Sequence, residues 1–201
     1  PRADWEALYC DKAFAVEDQR VSFNQRDFRR ACLIYGDALD HAARIYETHL
    51  RGKAVDFEIS IDETTTPTTP AQHYFVASEL LRRGVQFATI APRFCGEFQK
   101  GIDYIGDLEQ FEAELRVHAA IARSLGYKLS IHSGSDKFSV FPLIGRLTQG
   151  NFHVKTAGTN WLEAMRVVAM TEPALYREVH AFALRSFEEA KRYYHVTTNL
   201  S

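Results

Sequence analysis

Four stretches of this chain, near residues 55–62, 86–91, 128–132 and 152–156, read as short strands, all but the second alternating apolar and polar residues, and each gives way to a loop or turn and then to helical spacing. A period of two makes a strand with one apolar and one polar face, whereas steps of three and four make a helix with one buried stripe. Strands that alternate with helices pair in parallel, because a helical crossover returns the chain to the same end of the sheet.

The faces narrow the choice further. In Ala54–Glu63 (AVDFEISIDE), Phe57, Ile59 and Ile61 share one side while Glu58, Ser60 and Asp62 share the other. A doubly wound sheet is covered on both faces and reads as continuous apolar runs. One polar face suits a barrel, whose outward residues pack under helices and whose inward residues meet in the lumen. A full (β/α)8 barrel takes about 250 residues, and this chain has 201. The expected fold is therefore α/β, with parallel βα repeats forming about half of a TIM-type barrel over residues 54–201. Residues 1–53 are expected to be an N-terminal helical segment packed on it.

Within that segment, residues 1–23 set no clear period. Asn24 with Asp27 reads as a helix start, and Phe28, Ala31, Cys32, Tyr35, Leu39, Ala42, Tyr46 and Leu50 form the stripe of one long helix ending near Gly52. Further caps punctuate the repeats. Thr69, Pro70 and Gln72 form a capping box before a helix that Gly84 ends, Asp107 opens the next and Gly126 closes it, and Thr159 caps a later one. The tail YYHVTTNLS is read as opening a fifth strand that carries His195.

The strand ends carry the chemistry. Asp62 and Glu63, Arg93, His132 and Lys155 fall at successive tips, the end where barrel enzymes keep their sites. His132 ends the short strand that opens the run KLSIHSGSDK, and a Gly/Ser turn follows it into a helix. Two inward carboxylates need water, a cation or a proton. Carboxylate plus imidazole suits a divalent metal, with zinc, manganese and nickel all admissible, and Arg93, Lys100 and Lys155 suit an anionic substrate. His153 lies beside Lys155 on the polar face of its strand, and His73 is expected on the solvated first turn of a helix.

Composition excludes other classes. A formal charge of -2 gives no electrostatic case for nucleic acid or an anionic membrane. No apolar run approaches the roughly 20 residues of a membrane span. Cys10, Cys32 and Cys95 are odd in number and widely spaced, forming neither a disulfide framework nor a metal pattern, so a reducing cytoplasm is expected. The chain begins at Pro1, consistent with a piece of something longer.

The runs DETTTPTTPAQHYFVASELLRRGV, APRFCGEFQKGIDYIGDLEQFE, KLSIHSGSDKFSVFP and FHVKTAGTNWLEAMRVVA resemble the tagaturonate epimerase family, most clearly from Phe57 to Ala169. Members are longer, so the likeness is to their later part. The resemblance implies interconversion of tagaturonate and fructuronate in bacterial hexuronate breakdown, by inversion at the fourth carbon, with a divalent metal and a proton acceptor and donor. Carried onto this sequence, it implies His132 as metal ligand and Asp62, Glu63 and Lys155 as catalytic groups. Arg93, Ser135 and Lys137 are the substrate-binding candidates. That carbon is not next to the ketone, so retro-aldol cleavage and re-addition is the route expected. The partner is a small sugar acid, and an oligomer is compatible. Two other readings remain open: a metal-independent aldolase with Lys155 as Schiff base, and a non-catalytic sugar-acid binding domain.

Overall fold

The computed structural model describes residues 2–156, 159–193 and 195–200. A 3-10 turn leads into a short helix α1 (Trp5–Tyr9), then a hairpin of β1 (Ala13–Val16) and β2 (Gln19–Ser22). The hairpin fills the region where the sequence shows no period, because four-residue strands are too short to reveal one. Helix α2 (Gln25–Ile45) follows, capped by the Asn24 side chain on the Asp27 amide and continued as a π turn to Leu50. Residues 1–53 are thus not purely helical, and their buried side chains share one core with the rest of the chain.

Four strands then pair in parallel in chain order: β3 (Glu58–Ile61), β4 (Thr89–Pro92), β5 (Lys128–Ile131) and β6 (Phe152–Val154). Helices α3 (Pro70–Arg82), α4 (Leu108–Leu125) and α5 (Phe141–Leu147) separate them, and α6 (Thr159–Thr171) and α7 (Pro173–Ala190) come after β6. The strands are shorter than expected, with residues 54–57 lying outside β3. The Thr69–Gln72 box caps α3, Asp107 caps α4, and Gly126 ends α4 at φ 83. The Thr159 cap lies outside the described side chains. Residues 195–200 join no strand, so the fifth strand expected there is not formed; the segment hydrogen-bonds to a side chain of the loop after β4.

Ile59, Ile61, Ile90, Leu129 and Ile131 are buried in the same core as Phe75, Leu80, Phe111, Leu115 and Ile144 of the crossover helices. The alternate positions, Glu58 and Ser60, Thr89, Ser130 and His153, face the other way. The register sets Glu58 beside Thr89 and Ser130 beside His153. Among the described residues no helix is long and apolar enough to cross a membrane.

Candidate active site

The polar face of the sheet converges on His132, the residue after β5. The left-handed backbone of Ser133 (φ 51) and Asp136 (φ 59) turns the chain away from the strand, a conformation disfavoured for residues with a Cβ. Gly134 is required between them: a Cβ there would lie 2.4 Å from Val154 Cγ1. Its amide instead donates to the Lys155 carbonyl at 3.0 Å, tying the turn to the tip of β6. Strain concentrated in one strand-end turn is characteristic of functional loops.

His132 is nearly buried and sits between two carboxylates. Nδ1 lies 2.9 Å from Asp62 Oδ2, and Nε2 lies 2.7 Å from Glu58 Oε1. An ionised carboxylate only accepts, so the two contacts together favour the doubly protonated imidazole. The bond to Asp62 raises the His132 pKa, burial opposes it, and Glu58 adds to the rise. Burial alone would raise the Glu58 carboxyl, but hydrogen bonds from Thr89, His132 and Ser130 outweigh it and bring it down to about 2. Asp62 is likewise lowered, because bonds from His132 and Ser60 overcome its burial. Thr89 Oγ1 donates to Glu58 Oε2 at 2.7 Å, and His153 Nδ1 stands 3.2 Å from the same oxygen. Ser130 Oγ is 3.0 Å from His153 Nδ1.

Two cavities open above this layer. The larger, about 480 Å³, is lined by Asp62, Glu63, Arg93, His132 and His195 among others. The smaller, about 140 Å³, takes in Asp62, Glu63, His132, Ser135 and Lys155. Asp62, Glu63, Arg93, His132, Ser135 and Lys155 therefore border one continuous region at the carboxyl ends of the strands. Glu63 and Lys155 are exposed on it, and the Arg93 guanidinium donates to the Thr64 carbonyl beside it.

Lys137 is a correction. Its side chain is fully buried, and Nζ donates to the carbonyls of Gln99, Ile102 and Ser135 at 2.6, 2.7 and 2.8 Å. It clamps the loop after β4 to the loop after β5, with its ammonium taken up by these three carbonyls. His73 is a second correction. Instead of lying on a solvated turn it is fully buried, with Nδ1 2.9 Å from His118 Nδ1 and Nε2 2.6 Å from the Tyr127 hydroxyl. Its spacing with Val76, Ala77 and Leu80 placed it on the buried stripe of α3, a signal present in the sequence. Glu58, Thr89, Ser130 and His153 sit on the polar face of their strands ahead of the tips, so a reading of strand tips alone gives them no role, although alternation marks Glu58 and His153 as inward-facing.

Imidazole and carboxylate donors suit a divalent cation by type, and the ionised pair leaves negative charge to balance. Among the described residues no group of three or more His, Cys, Asp or Glu side chains is arranged to hold a metal ion. His132 with Glu58 or Asp62 fits part of a coordination shell, provided one ring nitrogen gives up its proton.

The family model for UxaE, tagaturonate epimerase, matches residues 1–201. The tagaturonate/fructuronate epimerase of Thermotoga maritima is 49% identical over 199 residues, covering 98% of this chain and 41% of its own length. A native crystal structure of the fructuronate-tagaturonate epimerase from Cohnella laeviribosi is 61% identical, with a TM-score of 0.96. A glycerol complex of the same enzyme gives 0.95. Each match covers 99% of this chain and 41% of that one, so the chain spans well under half the length of these relatives.

Proposed function

Because this chain belongs to the tagaturonate epimerase family, we propose that it forms the site-bearing part of an enzyme that interconverts tagaturonate and fructuronate. The observation that carries the reading is the placement of Glu58, Asp62 and His132 within hydrogen-bond reach at the carboxyl ends of parallel strands.

The same chain is proposed to be about half of a (β/α)8 barrel. In its support, the strands follow chain order, and their polar side chains share one face. Two further features favour it. The sheet ends in β3 and β6, which have no outer partner strand among the described residues. Beyond β6, α7 has no buried residue and exposes Leu175, Val179 and Phe182. Open edges and exposed apolar helix faces ask for cover, which further βα units of a longer protein would provide.

Roles follow from the contacts. Asp62 is engaged by His132 and Ser60, so it orients the imidazole. Glu63, exposed at the mouth of both cavities, is the proton acceptor for the fourth-carbon hydroxyl. Loss of that proton breaks the bond between the third and fourth carbons, leaving an aldehyde and an enediolate. Rotation of the aldehyde and re-addition to its other face invert the centre, and the proton returns to the new alkoxide. Arg93 meets the substrate carboxylate, and Lys155 polarises the ketone. His132 with Glu58 would hold a divalent cation, which when bound supplies Lewis acidity to the ketone oxygen.

The test uses the intact protein with tagaturonate, followed by NMR, with and without chelator. Fructuronate formation that stops on chelation and returns with added metal is expected. Conversion indifferent to chelator would remove the metal from the reading, and no conversion would remove the activity.

A further inference from the structure

Arg93 stands at the tip of β4, and its backbone is fixed by one side chain on the preceding loop. Thr68 is fully buried and exchanges two hydrogen bonds with it. The Thr68 amide donates to the Arg93 carbonyl at 2.8 Å, and the Arg93 amide donates to Thr68 Oγ1 at 3.0 Å. The Tyr35 hydroxyl of α2 approaches the same oxygen at 3.4 Å. The Arg93 guanidinium then returns to the Thr64 carbonyl, four residues before Thr68. Residues 64–68 and the tip of β4 are thereby closed into one ring of contacts. Next to Arg93, the Phe94 ring meets the His118 ring edge-on, and His118 leads on to His73 and Tyr127, all buried.

The parallel register of β3 and β4 is complete at Ile61 and Pro92, so the Thr68–Arg93 exchange lies beyond the sheet and acts on the loop that carries Glu63 and Thr64. A buried hydroxyl that accepts a backbone amide fixes that peptide's orientation, and with it the direction in which the next side chain leaves.

We infer that Thr68 is a positioning residue that sets the approach of Arg93 to the substrate carboxylate. This rests on the reading of Arg93 as the carboxylate-binding group. Thr68 touches no substrate; it acts through Arg93. Valine matches threonine in shape and lacks the acceptor.

The test is a double-mutant cycle in the intact protein, with tagaturonate as substrate and thermal melting as the fold check. Thr68→Val is expected to raise KM about tenfold with kcat within about twofold of the parent, the pattern of lost substrate positioning. Thr68→Ser should restore the parent KM. In an Arg93→Met background, Thr68→Val should change KM no further. Additive KM effects would overturn the inference, because a merely structural role does not need Arg93. So would an unchanged KM in Thr68→Val alongside a raised KM in Arg93→Met. If Arg93→Met leaves KM unaltered, the carboxylate-binding reading itself fails, and the inference with it. Should Thr68→Val not fold, Thr68→Ala carries the same cycle with the same deciding comparison.

Discussion

His132 Nε2 stands 2.7 Å from Glu58 Oε1 although β4 lies between their strands. The contact bridges the polar face of the sheet, and it makes the imidazole and carboxylate one unit, with Asp62 on the opposite ring nitrogen. Neither residue can change charge without altering the other.

His132→Ala in the intact protein is expected to lower tagaturonate epimerisation by at least about 100-fold, in the range lost with a positioned acid–base or ligand group. It should also reduce bound divalent cation, since losing one ligand of a small shell weakens binding severely. Removing the imidazole also takes the shared donor away from Glu58 and Asp62, so some loss of melting temperature is expected alongside, and the variant is compared at a temperature where it is folded. Metal analysis and kinetics on one preparation check this. A variant that keeps both its activity and its metal would sink the proposed role.

Lys155→Met separates the two roles open to this lysine. If Lys155 polarises the ketone or steadies the substrate, turnover falls or KM rises while borohydride traps nothing on the parent enzyme. A Schiff-base lysine instead predicts borohydride trapping at Lys155, complete loss of turnover in the variant, and indifference to chelator. The side chain is exposed, and a Schiff-base amine needs desolvation to deprotonate, so no trapping is the expected result.

Lys137→Met is expected to destabilise the protein by about 2–5 kcal/mol, because buried carbonyls would lose a charged donor. Exchange of backbone amides should rise over residues 97–105, the loop whose Gln99 and Ile102 carbonyls the ammonium holds. Melting and hydrogen exchange measure both effects. An unchanged melting temperature with only a raised KM would instead return Lys137 to the substrate site.

The polar face of the sheet was legible because it needs only a period of two: Glu58, Ser60 and Asp62 alternate with Phe57, Ile59 and Ile61. The pairing across that face was not. Glu58 meets Thr89 through strand register and His153 across the intervening strands β4 and β5, neither of which local spacing encodes. Lys137 misled for a different reason. A lysine beside a strand-end turn reads as a ligand for anions, and its burial depends on carbonyls contributed by a loop more than thirty residues earlier. Residues 1–23 failed because a hairpin of four-residue strands offers too few alternations to separate from chance.

The buried histidine pair gives the pH dependence of stability. Burial, with His118 nearby, lowers His73 well below its ordinary value, and burial brings His118 down to about 4. Both are therefore neutral in the folded protein at pH values where the unfolded chain, titrating near 6.5, is protonated. The unfolded state then binds more protons, so stability falls as pH drops from about 6.5 toward 4. For His118 alone the full fall is on the order of 3 kcal/mol. His132 does not mask it: its pKa is raised, so its contribution is lost only as pH climbs above 6.5 and is constant below. Glu58, lowered to about 2, loses its contribution mainly below its ordinary value of 4.5. Urea unfolding of the intact protein between pH 7 and pH 4.5 should show a steady loss of stability. The His73→Leu/His118→Leu double variant should flatten that slope, and a slope identical to the parent's would mean that other groups carry the acid sensitivity.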